Sequence, residues 1–406
     1  MRKKETPNSR KIKYRNKILG IIRSNDNISR FDVKKISNYS MTTTLNTIDE
    51  MLDDGYIIES GLGESSGGRR PTWLKINPSG GYFFGVDFNA NNICSAIVDL
   101  CGNVLYTNTI KVPNDLNTTS SIIILIKESI RKMFSTLDAD ARIFGIGLGI
   151  PGYVDIQKGV SLDYAFIRHW NNIYLKEEME KEFEAAIFVE NNVNGMAMAY
   201  KWMENGGLCE NLALLSIRKG IRLSVVIRNH LHRGCNNAAG EIDHIKLSGS
   251  DRLCYCGKRG CFVSEASNSA ILSKVIEGLS VGRYKSVSSY IEGDISKLNM
   301  DVLIKLYMDG DKDVNGLVVE TASYISEALA LIVAVHNPEK VVISTDFIAS
   351  GNDFLEMIKS GLNRLSNRHH LQSLSVEYAK HGMYIGAIGA ACLVMQKTIF
   401  FTDKAE

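Results

Sequence analysis

One short segment of the sequence concentrates residues that bind metal ions. Cys254, Cys256 and Cys261 fall within eight residues, and His244 lies shortly before them. Three thiolates and one imidazole can complete a tetrahedral site for Zn²⁺, and soft sulfur ligands favour zinc over magnesium or calcium. The alternative is three buried free cysteines beside a surface histidine, which such close spacing disfavours. We therefore predict a structural zinc site in which the protein supplies all four ligands and no coordination position is open for catalysis.

A second group of polar residues is predicted on a helix near the N-terminus. Ser40 is a typical N-cap, and the helix that it starts is predicted over residues 41–53. Leu45, Ile48 and Leu52 are spaced as one buried stripe. The opposite face carries short hydrogen-bonding side chains, which suit a recognition helix that reaches base edges and phosphates in the major groove of DNA. These candidates are Ser40, Thr42, Thr43, Asn46 and Thr47.

Two strands joined by a glycine-rich segment follow this helix. Residues 56–59 and 72–76 are predicted to form a hairpin with Arg69 and Arg70 at its tip or return edge. Arginines placed there can contact phosphates or the minor groove. Two shorter helices are predicted before residue 40, so residues 14–80 have the order of a winged helix-turn-helix domain that binds double-stranded DNA. The alternative is a small structural three-helix domain with an exposed threonine face.

The distribution of charge agrees with a DNA-binding head on a larger body. Residues 1–80 carry 15 Lys and Arg against 9 Asp and Glu, whereas the rest of the 406 residues carry 32 against 36. A solvated basic tail without a partner would give the same counts. No apolar run reaches about 18 residues, and the basic N-terminus has no signal-peptide core. We therefore expect a cytoplasmic protein without a membrane segment.

The glycine-rich segment of the predicted hairpin carries a resemblance to a known family. Ser-Gly-Gly-Arg-Arg-Pro at 66–71, which follows the helix-turn-helix and leads into Asp87, resembles the repressor branch of the ROK family (repressors, open reading frames, kinases). The resemblance extends from about Tyr14 to the C-terminus. It implies an α/β fold, in which the winged helix-turn-helix is followed by a two-lobed, actin-like ATPase domain of the sugar-kinase type.

This resemblance also implies how the chain divides into domains. We expect a disordered basic tail over residues 1–13 and the DNA-binding domain over residues 14–80. The first lobe is expected over residues 81–195, and the second lobe, with the zinc motif, over residues 196–406. The C-terminal helix of the second lobe is expected to pack back on the first lobe.

The positions that would carry kinase chemistry are altered in this chain. Asn192 stands where the resembling kinases have the aspartate that acts as general base, and a neutral amide cannot accept the proton. The segment 87–91, which matches the first phosphate turn, lacks the usual glycines, and the nucleotide-side segment 342–346 lacks the usual glycine pair. In the segment 215–221, which matches the second phosphate turn, Arg218 and Lys219 replace small residues. We therefore assign no catalytic residue and predict that the chain is not an enzyme. A sugar kinase with an accessory DNA-binding domain is the alternative.

The resemblance further implies a sugar pocket. Glu241 and His244 match family residues that touch sugar hydroxyls, and the amides of Asn191 and Asn192 lie in the matching ligand motif. Phe166 and Val263 stand where an asparagine and a glutamate are usual in the family. The sequence thus predicts a repressor that senses a sugar or sugar derivative and binds a palindromic operator as a homodimer or a dimer of dimers. A regulator controlled by a partner protein is the third hypothesis.

Overall fold

The computed structural model describes residues 7–25, 27–62, 70–89, 91–113, 116–164, 166–204 and 209–399. The chain divides into two units. The first comprises residues 1–206 and 383–406, and the second comprises residues 207–382. The lobe boundary expected after residue 195 is therefore too early, because a helical segment continues past it to residue 204 within the first unit.

Three helices form the N-terminal part of the first unit. They are α1 (Pro7–Arg23), α2 (Arg30–Ser37) and α3 (Met41–Asp53). The predicted disordered tail over residues 1–13 is wrong from residue 7 onward, since α1 begins there, and residues 1–6 lie outside the described residues. The capping box at the start of α2 joins Ser29 and Asp32. Ser40 caps α3 by accepting the backbone N–H of Thr43, as predicted.

The buried stripe of α3 differs from the predicted one. Leu45 and Leu52 are only partly buried. The fully buried residues are Thr44, Thr47, Ile48 and Met51. The hydroxyls of Thr44 and Thr47 donate to the carbonyls one turn earlier, at 3.0 and 2.7 Å, so both side chains enter the interior with their hydrogen bonds satisfied.

A three-stranded sheet packs beside these helices. Its strands are β1 (Ile28–Ser29), β2 (Ile57–Leu62) and β3 (Thr72–Ile76), in the spatial order β1-β3-β2. Strands β2 and β3 form the antiparallel hairpin that the sequence predicted. The connection over residues 63–69, including Arg69, lies outside the described residues. Arg70 is exposed just before β3 begins.

The main sheet of the first unit has five strands, ordered β11-β7-β4-β5-β6. Its strands are β4 (Tyr82–Phe88), β5 (Asn92–Asp99), β6 (Val104–Lys111), β7 (Ile143–Ile150) and β11 (Ile187–Asn191). A small second sheet consists of β8 (Tyr153–Asp155), β9 (Val160–Asp163) and β10 (Asn171–Ile173). The helices are α4 (Thr119–Phe134), α5 (Leu175–Glu180), α6 (Asn192–Ala199), which continues as a π-helix over Tyr200–Glu204, and α14 (Ile385–Thr398).

Glycines let α14 lie directly against this sheet and against α6. A Cβ atom on Gly85 of β4 would come 1.9 Å from the carbonyl oxygen of Ala387, and one on Gly389 would come 2.0 Å from the carbonyl oxygen of Gly195. Only a residue without a side chain fits such backbone-to-backbone contacts. The contacts fix α14, α6 and the sheet as one packed body.

The second unit is built around another five-stranded sheet, ordered β14-β13-β12-β15-β16. The strands are β12 (Leu212–Ile217), β13 (Ile221–Ile227), β14 (His230–Leu231), β15 (Lys340–Thr345) and β16 (Ser375–Tyr378). The helices are α7 (Phe262–Ala266), α8 (Asn268–Ser280), α9 (Lys285–Tyr290), α10 (Met300–Met308), α11 (Lys312–His336), α12 (Asp353–Leu365) and α13 (Arg368–Leu371). Among the described residues, α11 alone is long and apolar enough to cross a membrane. Its residues Ile325, Leu329 and Val333 are buried in the core of this unit, as in a core helix of a globular protein.

Candidate metal centre and ligand-binding residues

The four predicted metal ligands converge in the second unit. One donor atom from each of His244, Cys254, Cys256 and Cys261 lies within 4.8 Å of the others. The tight turn between the cysteines depends on Gly257 and Gly260, whose φ angles of 84° and 79° are in the left-handed region. Cys261 is the N-cap residue of α7, which ties the cluster to the core.

Distances within the cluster fit a tetrahedral ion. The sulfur atoms of Cys256 and Cys261 are 3.7 Å apart, and Nδ1 of His244 lies 3.6 Å from the sulfur of Cys254. With metal–sulfur bonds of about 2.3 Å and metal–nitrogen bonds of about 2.0–2.1 Å, tetrahedral geometry gives separations of roughly 3.8 and 3.5 Å. A disulfide would require sulfur atoms about 2.0 Å apart. The residues therefore fit a bound metal ion.

The environment of the thiols calls for a cation. Burial raises the pKa of Cys254 and raises that of Cys261 to about 12. Cys256 is exposed, and the backbone N–H of Lys258 lowers its pKa. Without a cation the two buried sulfurs stay protonated, whereas a metal ion stabilises thiolates and releases their protons.

Glu241, the predicted sugar contact in this unit, is held by an arginine. Its carboxylate pairs with the guanidinium of Arg222 on β13, and both side chains are largely buried. The backbone before Glu241 lies directly against β13, because a Cβ atom on Gly240 would come 1.9 Å from the carbonyl oxygen of Leu223. Sequence reasoning missed Arg222, although it follows the basic pair Arg218-Lys219 closely in the chain. Glu241 is therefore a paired carboxylate and not an isolated one.

Asn191 and Asn192 lie in the first unit, at the junction of β11 and α6. The side chain of Asn191 is used in both directions: Oδ1 accepts the N–H of Val193 at 3.0 Å, and Nδ2 donates to the carbonyl of Gly152 at 3.0 Å. Asn192 is only partly buried, and its Nδ2 donates to a carboxylate oxygen of Asp87 at 3.1 Å. Asn191 therefore shapes the turn, while Asn192 is the amide that a ligand can reach.

Two residues at which the chain departs from the expected sugar contacts lie in or against apolar cores. Val263 is 3% exposed in the core of the second unit, and Phe166 packs against the core of the first unit. Trp170, near Phe166 in sequence, is buried and donates from Nε1 to the hydroxyl of Ser161 at 2.7 Å. At both positions, an apolar side chain that packs in or against a core stands where a polar side chain was expected.

The candidate DNA contacts on α3 separate into accessible and buried residues. Ser40, Thr42 and Asn46 are exposed, and Thr43 is partly buried with its hydroxyl 2.8 Å from that of Ser40. Thr47, predicted on the exposed face, is 7% exposed because the buried stripe runs through it. Thr47 is therefore excluded from the contact surface.

Comparison with known proteins identifies the family. Residues 83–397 match the ROK family. The chain belongs to the ROK family. It is 27% identical over 399 residues to the xylose repressor of Caldicellulosiruptor bescii, a match that covers 97% of this chain and 98% of the relative. Among solved structures, it is similar to a ROK family transcriptional regulator described as a homolog of the E. coli MLC protein, with a TM-score of 0.81, 22% identity, and coverage of 96% of this chain and 98% of that one.

The fold is also that of ROK kinases. A ROK family glucokinase from Streptomyces griseus, solved with glucose and AMPPNP, matches with a TM-score of 0.69 and 23% identity. That match covers 78% of this chain and all of the glucokinase. The two regulators thus match nearly the full chain, whereas the match to the kinase covers 78% of it.

In this ROK protein, Arg218 and Lys219 lie in the segment that the resemblance matches to the second phosphate turn. The backbone folds tightly, with the N–H of Arg218 donating to the carbonyl of Gly220 at 2.9 Å. The start of α8 fixes this turn: the N–H of Asn268 donates to the carbonyl of Arg218, and the hydroxyl of Ser269 donates to that of Lys219. Burial lowers the pKa of Lys219. Long, partly buried side chains thus occupy the turn where a phosphate cradle needs bare backbone.

Proposed function

We propose that this ROK protein is a DNA-binding transcriptional repressor whose kinase-like body senses a sugar or sugar derivative. The observation that carries the proposal is the extent of the similarity to the xylose repressor, which covers 97% of this chain and 98% of the relative. The similarity therefore includes both the N-terminal helices and the body. The match to a kinase of the same family covers 78% of this chain.

The N-terminal domain is proposed to bind DNA as a winged helix-turn-helix. Helix α3 would enter the major groove with Thr42 and Asn46 at base edges, while Ser40 and Thr43 meet the backbone near the helix start. Arg70, exposed beside the hairpin, would contact phosphate or the minor groove, as would Arg69 outside the described residues. A homodimer, or a dimer of such dimers, would place two recognition helices on the half-sites of a palindromic operator.

The body is proposed to bind its ligand without phosphorylating it. Asn192 cannot act as a base, and its amide is engaged by Asp87. Arg218 and Lys219 stand in the segment matched to the second phosphate turn, where long side chains would hinder the approach of a phosphate to the backbone. We propose that Asn192 is a ligand contact of the first unit, with Asn191 fixing the turn before it, and that Glu241 is a ligand contact of the second unit. His244, which the resemblance also matches to a sugar contact, is proposed as a metal ligand. Arg222, paired with Glu241, would orient that carboxylate toward hydroxyl groups.

The Cys/His cluster is proposed to hold one Zn²⁺ per chain. The donor set and the distances fit zinc, and four protein ligands leave no position for a catalytic water. Zinc would supply folding energy and a rigid frame for His244 and the neighbouring Glu241. It takes no part in a reaction.

The experiment that tests the proposal uses full-length, zinc-loaded protein and the DNA upstream of its own gene. Gel shifts and footprinting should show one protected site, bound far more tightly than random DNA of equal length. Titration with D-xylose, then with a panel of free and phosphorylated pentoses and hexoses, should release or strengthen that complex. Equal affinity for random DNA would overturn the regulator proposal. Saturable ATP turnover with any sugar in the panel would establish the kinase instead.

A further inference from the structure

A buried carboxylate lies next to the metal cluster and outside its ligand set. Asp243 is 8% exposed, and its Oδ2 lies 3.4 Å from Nε2 of His244 and 3.4 Å from the hydroxyl of Tyr255. Its other oxygen, Oδ1, has no hydrogen-bond partner among the residues that the structure describes. A desolvated carboxylate with an unsatisfied oxygen is costly unless a positive group compensates it.

The orientation of the imidazole indicates that group. Nδ1 of His244 faces the sulfur of Cys254 at 3.6 Å, so Nδ1 is the atom that faces the metal site and Nε2 is the atom that faces Asp243. A histidine that binds metal through one nitrogen commonly donates its other N–H to a carboxylate, which fixes the tautomer and makes the ligand more basic. The backbone carbonyl of Asp243 also accepts the N–H of Val263 on α7, at 2.8 Å.

We propose that Asp243 is a positioning residue for the metal ligand His244. Its carboxylate accepts the Nε2–H of the imidazole and so directs Nδ1 to the metal, while the hydroxyl of Tyr255 donates to the same oxygen and restrains it. The inference rests on the proposed metal site and is independent of DNA or sugar binding.

Metal affinity tests this inference directly. Zinc affinity is measured by competition with a chromogenic chelator for wild type, Asp243→Asn, Asp243→Ala and Tyr255→Phe. Asp243→Ala should bind zinc about 10–100-fold more weakly. Asp243→Asn keeps an acceptor oxygen and should lose less, and Tyr255→Phe less again. The control is Asp251→Ala, since the side chain of Asp251 is exposed and pairs with the exposed side chain of Arg259.

A spectrum separates positioning from general loss of structure. In Co²⁺-substituted protein, Asp243→Asn should shift the visible ligand-field bands while thermal stability with excess metal stays near wild type. If Asp243→Ala proves insoluble, Asp243→Asn and Tyr255→Phe still decide the matter. Unchanged affinity and an unchanged cobalt spectrum in these variants would overturn the inference. A wild-type protein that binds no metal would overturn the metal site itself.

A different observation concerns the link between the N-terminal helices and the body. The guanidinium of Arg23, at the end of α1, lies over the ring of Trp202 at 4.5 Å and donates to the backbone carbonyl of Trp202 at 3.2 Å. It also reaches the sulfur of Met395 on α14 at 3.8 Å. One side chain of the proposed DNA-binding domain thus touches both helices that cross the body of the first unit.

The helix that carries Trp202 begins at the candidate ligand site. Helix α6 starts at Asn192, is capped by Asn191, and continues through the π-helical turn that contains Trp202. At about 1.5 Å per residue, its ten steps from Asn192 to Trp202 span roughly 15 Å. Because Gly195 and Gly389 have no side chains, the backbones of α6 and α14 lie in direct contact. A displacement of α6 therefore moves α14 as well.

The geometry points to α6 as the element that couples ligand binding at Asn192 to the position of α1. This inference rests on the proposed function. Tilting or rotating α6 would shift Trp202 and Met395 under Arg23, and the π-helical turn provides a segment that can change its winding. Coupling is reciprocal, so DNA bound to the N-terminal domain must also alter α6.

Hydrogen exchange measured with DNA tests this coupling before any sugar is known. Saturating DNA from upstream of the gene should change amide exchange in residues 192–204 and 385–398 of wild type. Arg23→Gln and Trp202→Leu should bind that DNA within a few-fold of wild type but lose the change in these segments. Lys17→Gln is the matched control, because Lys17 lies on the same helix and contacts Tyr39 within the N-terminal helices.

The outcomes are distinct. A wild-type protein that binds the DNA with no change in residues 192–204 overturns the coupling, as does a full change in Arg23→Gln. Failure of the wild type to bind its upstream DNA at all overturns the proposed function.

Discussion

At the scale of single residues, burial decides which of several similar side chains can act. Asn46 and Thr47 are adjacent on α3, and both suit base recognition by chemistry. Asn46 is exposed, whereas the hydroxyl of Thr47 donates to the carbonyl of Thr43 at 2.7 Å inside the domain. Only one of the two can read DNA.

This difference gives a matched pair of variants. Asn46→Ala should weaken binding to the operator by about 1–3 kcal/mol, because a base-edge contact is lost, and should leave binding to random DNA nearly unchanged. Thr47→Val should keep the ratio of specific to random binding. Both ratios come from competition gel shifts. A larger loss of specificity in Thr47→Val than in Asn46→Ala would contradict the proposed orientation of α3.

The cysteines give a second prediction at this scale. Cys261→Ser should lose zinc and destabilise the second unit, since the remaining ligands are left without their ion. Cys235→Ser, which changes an exposed cysteine outside the cluster, should do neither. Metal analysis and thermal denaturation of the purified variants measure both effects. Zinc at one per chain in Cys261→Ser would contradict the ligand assignment.

Lowering the pH should weaken zinc binding, whereas raising the pH should destabilise the zinc-free protein. Protons compete with the ion for thiolates and imidazole, so zinc affinity should fall as the pH is lowered. In zinc-free protein, burial raises the pKa of Cys261 to about 12 from its ordinary value of 9.0. The unfolded chain then loses this proton first, and stability is lost as the pH rises from about 9 toward 12. Denaturation at several pH values, with and without chelator, separates the effect of pH on zinc binding from its effect on the stability of the zinc-free protein.

At the scale of elements, sequence patterns predicted the presence of helices and strands more accurately than they predicted which residues of each are buried. The cap at Ser40 and the hairpin after α3 depend on local residues, and the structure contains both. The burial of Thr44 in place of Leu45 depends on packing between helices. Such contacts are not encoded in local spacing.

The metal ligands could be predicted because four of them lie in eighteen residues, whereas the partners of Glu241 and Asn192 could not. Arg222 and Asp87 are brought to them by strand pairing and by the approach of distant segments. Apolar spacing carries no signal for such polar pairs. The same holds for Arg23 and Trp202, which are far apart in the chain.

Helix packing gives a prediction for α14. Gly85→Ala would place a Cβ atom 1.9 Å from the carbonyl oxygen of Ala387, so backbone must move, and we expect a loss of about 1–3 kcal/mol or more. Gly316→Ala on α11 meets no atom within 4 Å and should gain up to about 1 kcal/mol from helix propensity. Urea denaturation of the two variants measures the difference. Equal midpoints would show that α14 is not packed as described.

At the scale of the whole molecule, the chain joins a domain proposed to bind DNA to a body proposed to bind sugar. Similarity to a repressor over 97% of the chain, against 78% for a kinase, agrees with a kinase fold reused as a sensor. Such a sensor needs no turnover. It needs a ligand that binds differently to the conformations with and without DNA.

The last prediction follows from that requirement and uses D-xylose first, then the sugar from the panel that changes operator binding most. Its dissociation constant is measured by calorimetry on free protein and on the protein–operator complex, and the operator's is measured with and without sugar. The two ratios must agree, and regulatory couplings of this kind are typically about 5–150-fold. Glu241→Gln should weaken sugar binding to both forms and preserve the ratio, because the site is damaged but the conformations are not. Trp202→Leu should bind sugar normally and bring the ratio toward one, because the cation–π contact between Arg23 on α1 and this ring is lost. A sugar that binds with a ratio of one in wild type is a ligand of the body and not an effector, and a ratio in Trp202→Leu equal to that of wild type would place the coupling outside α6.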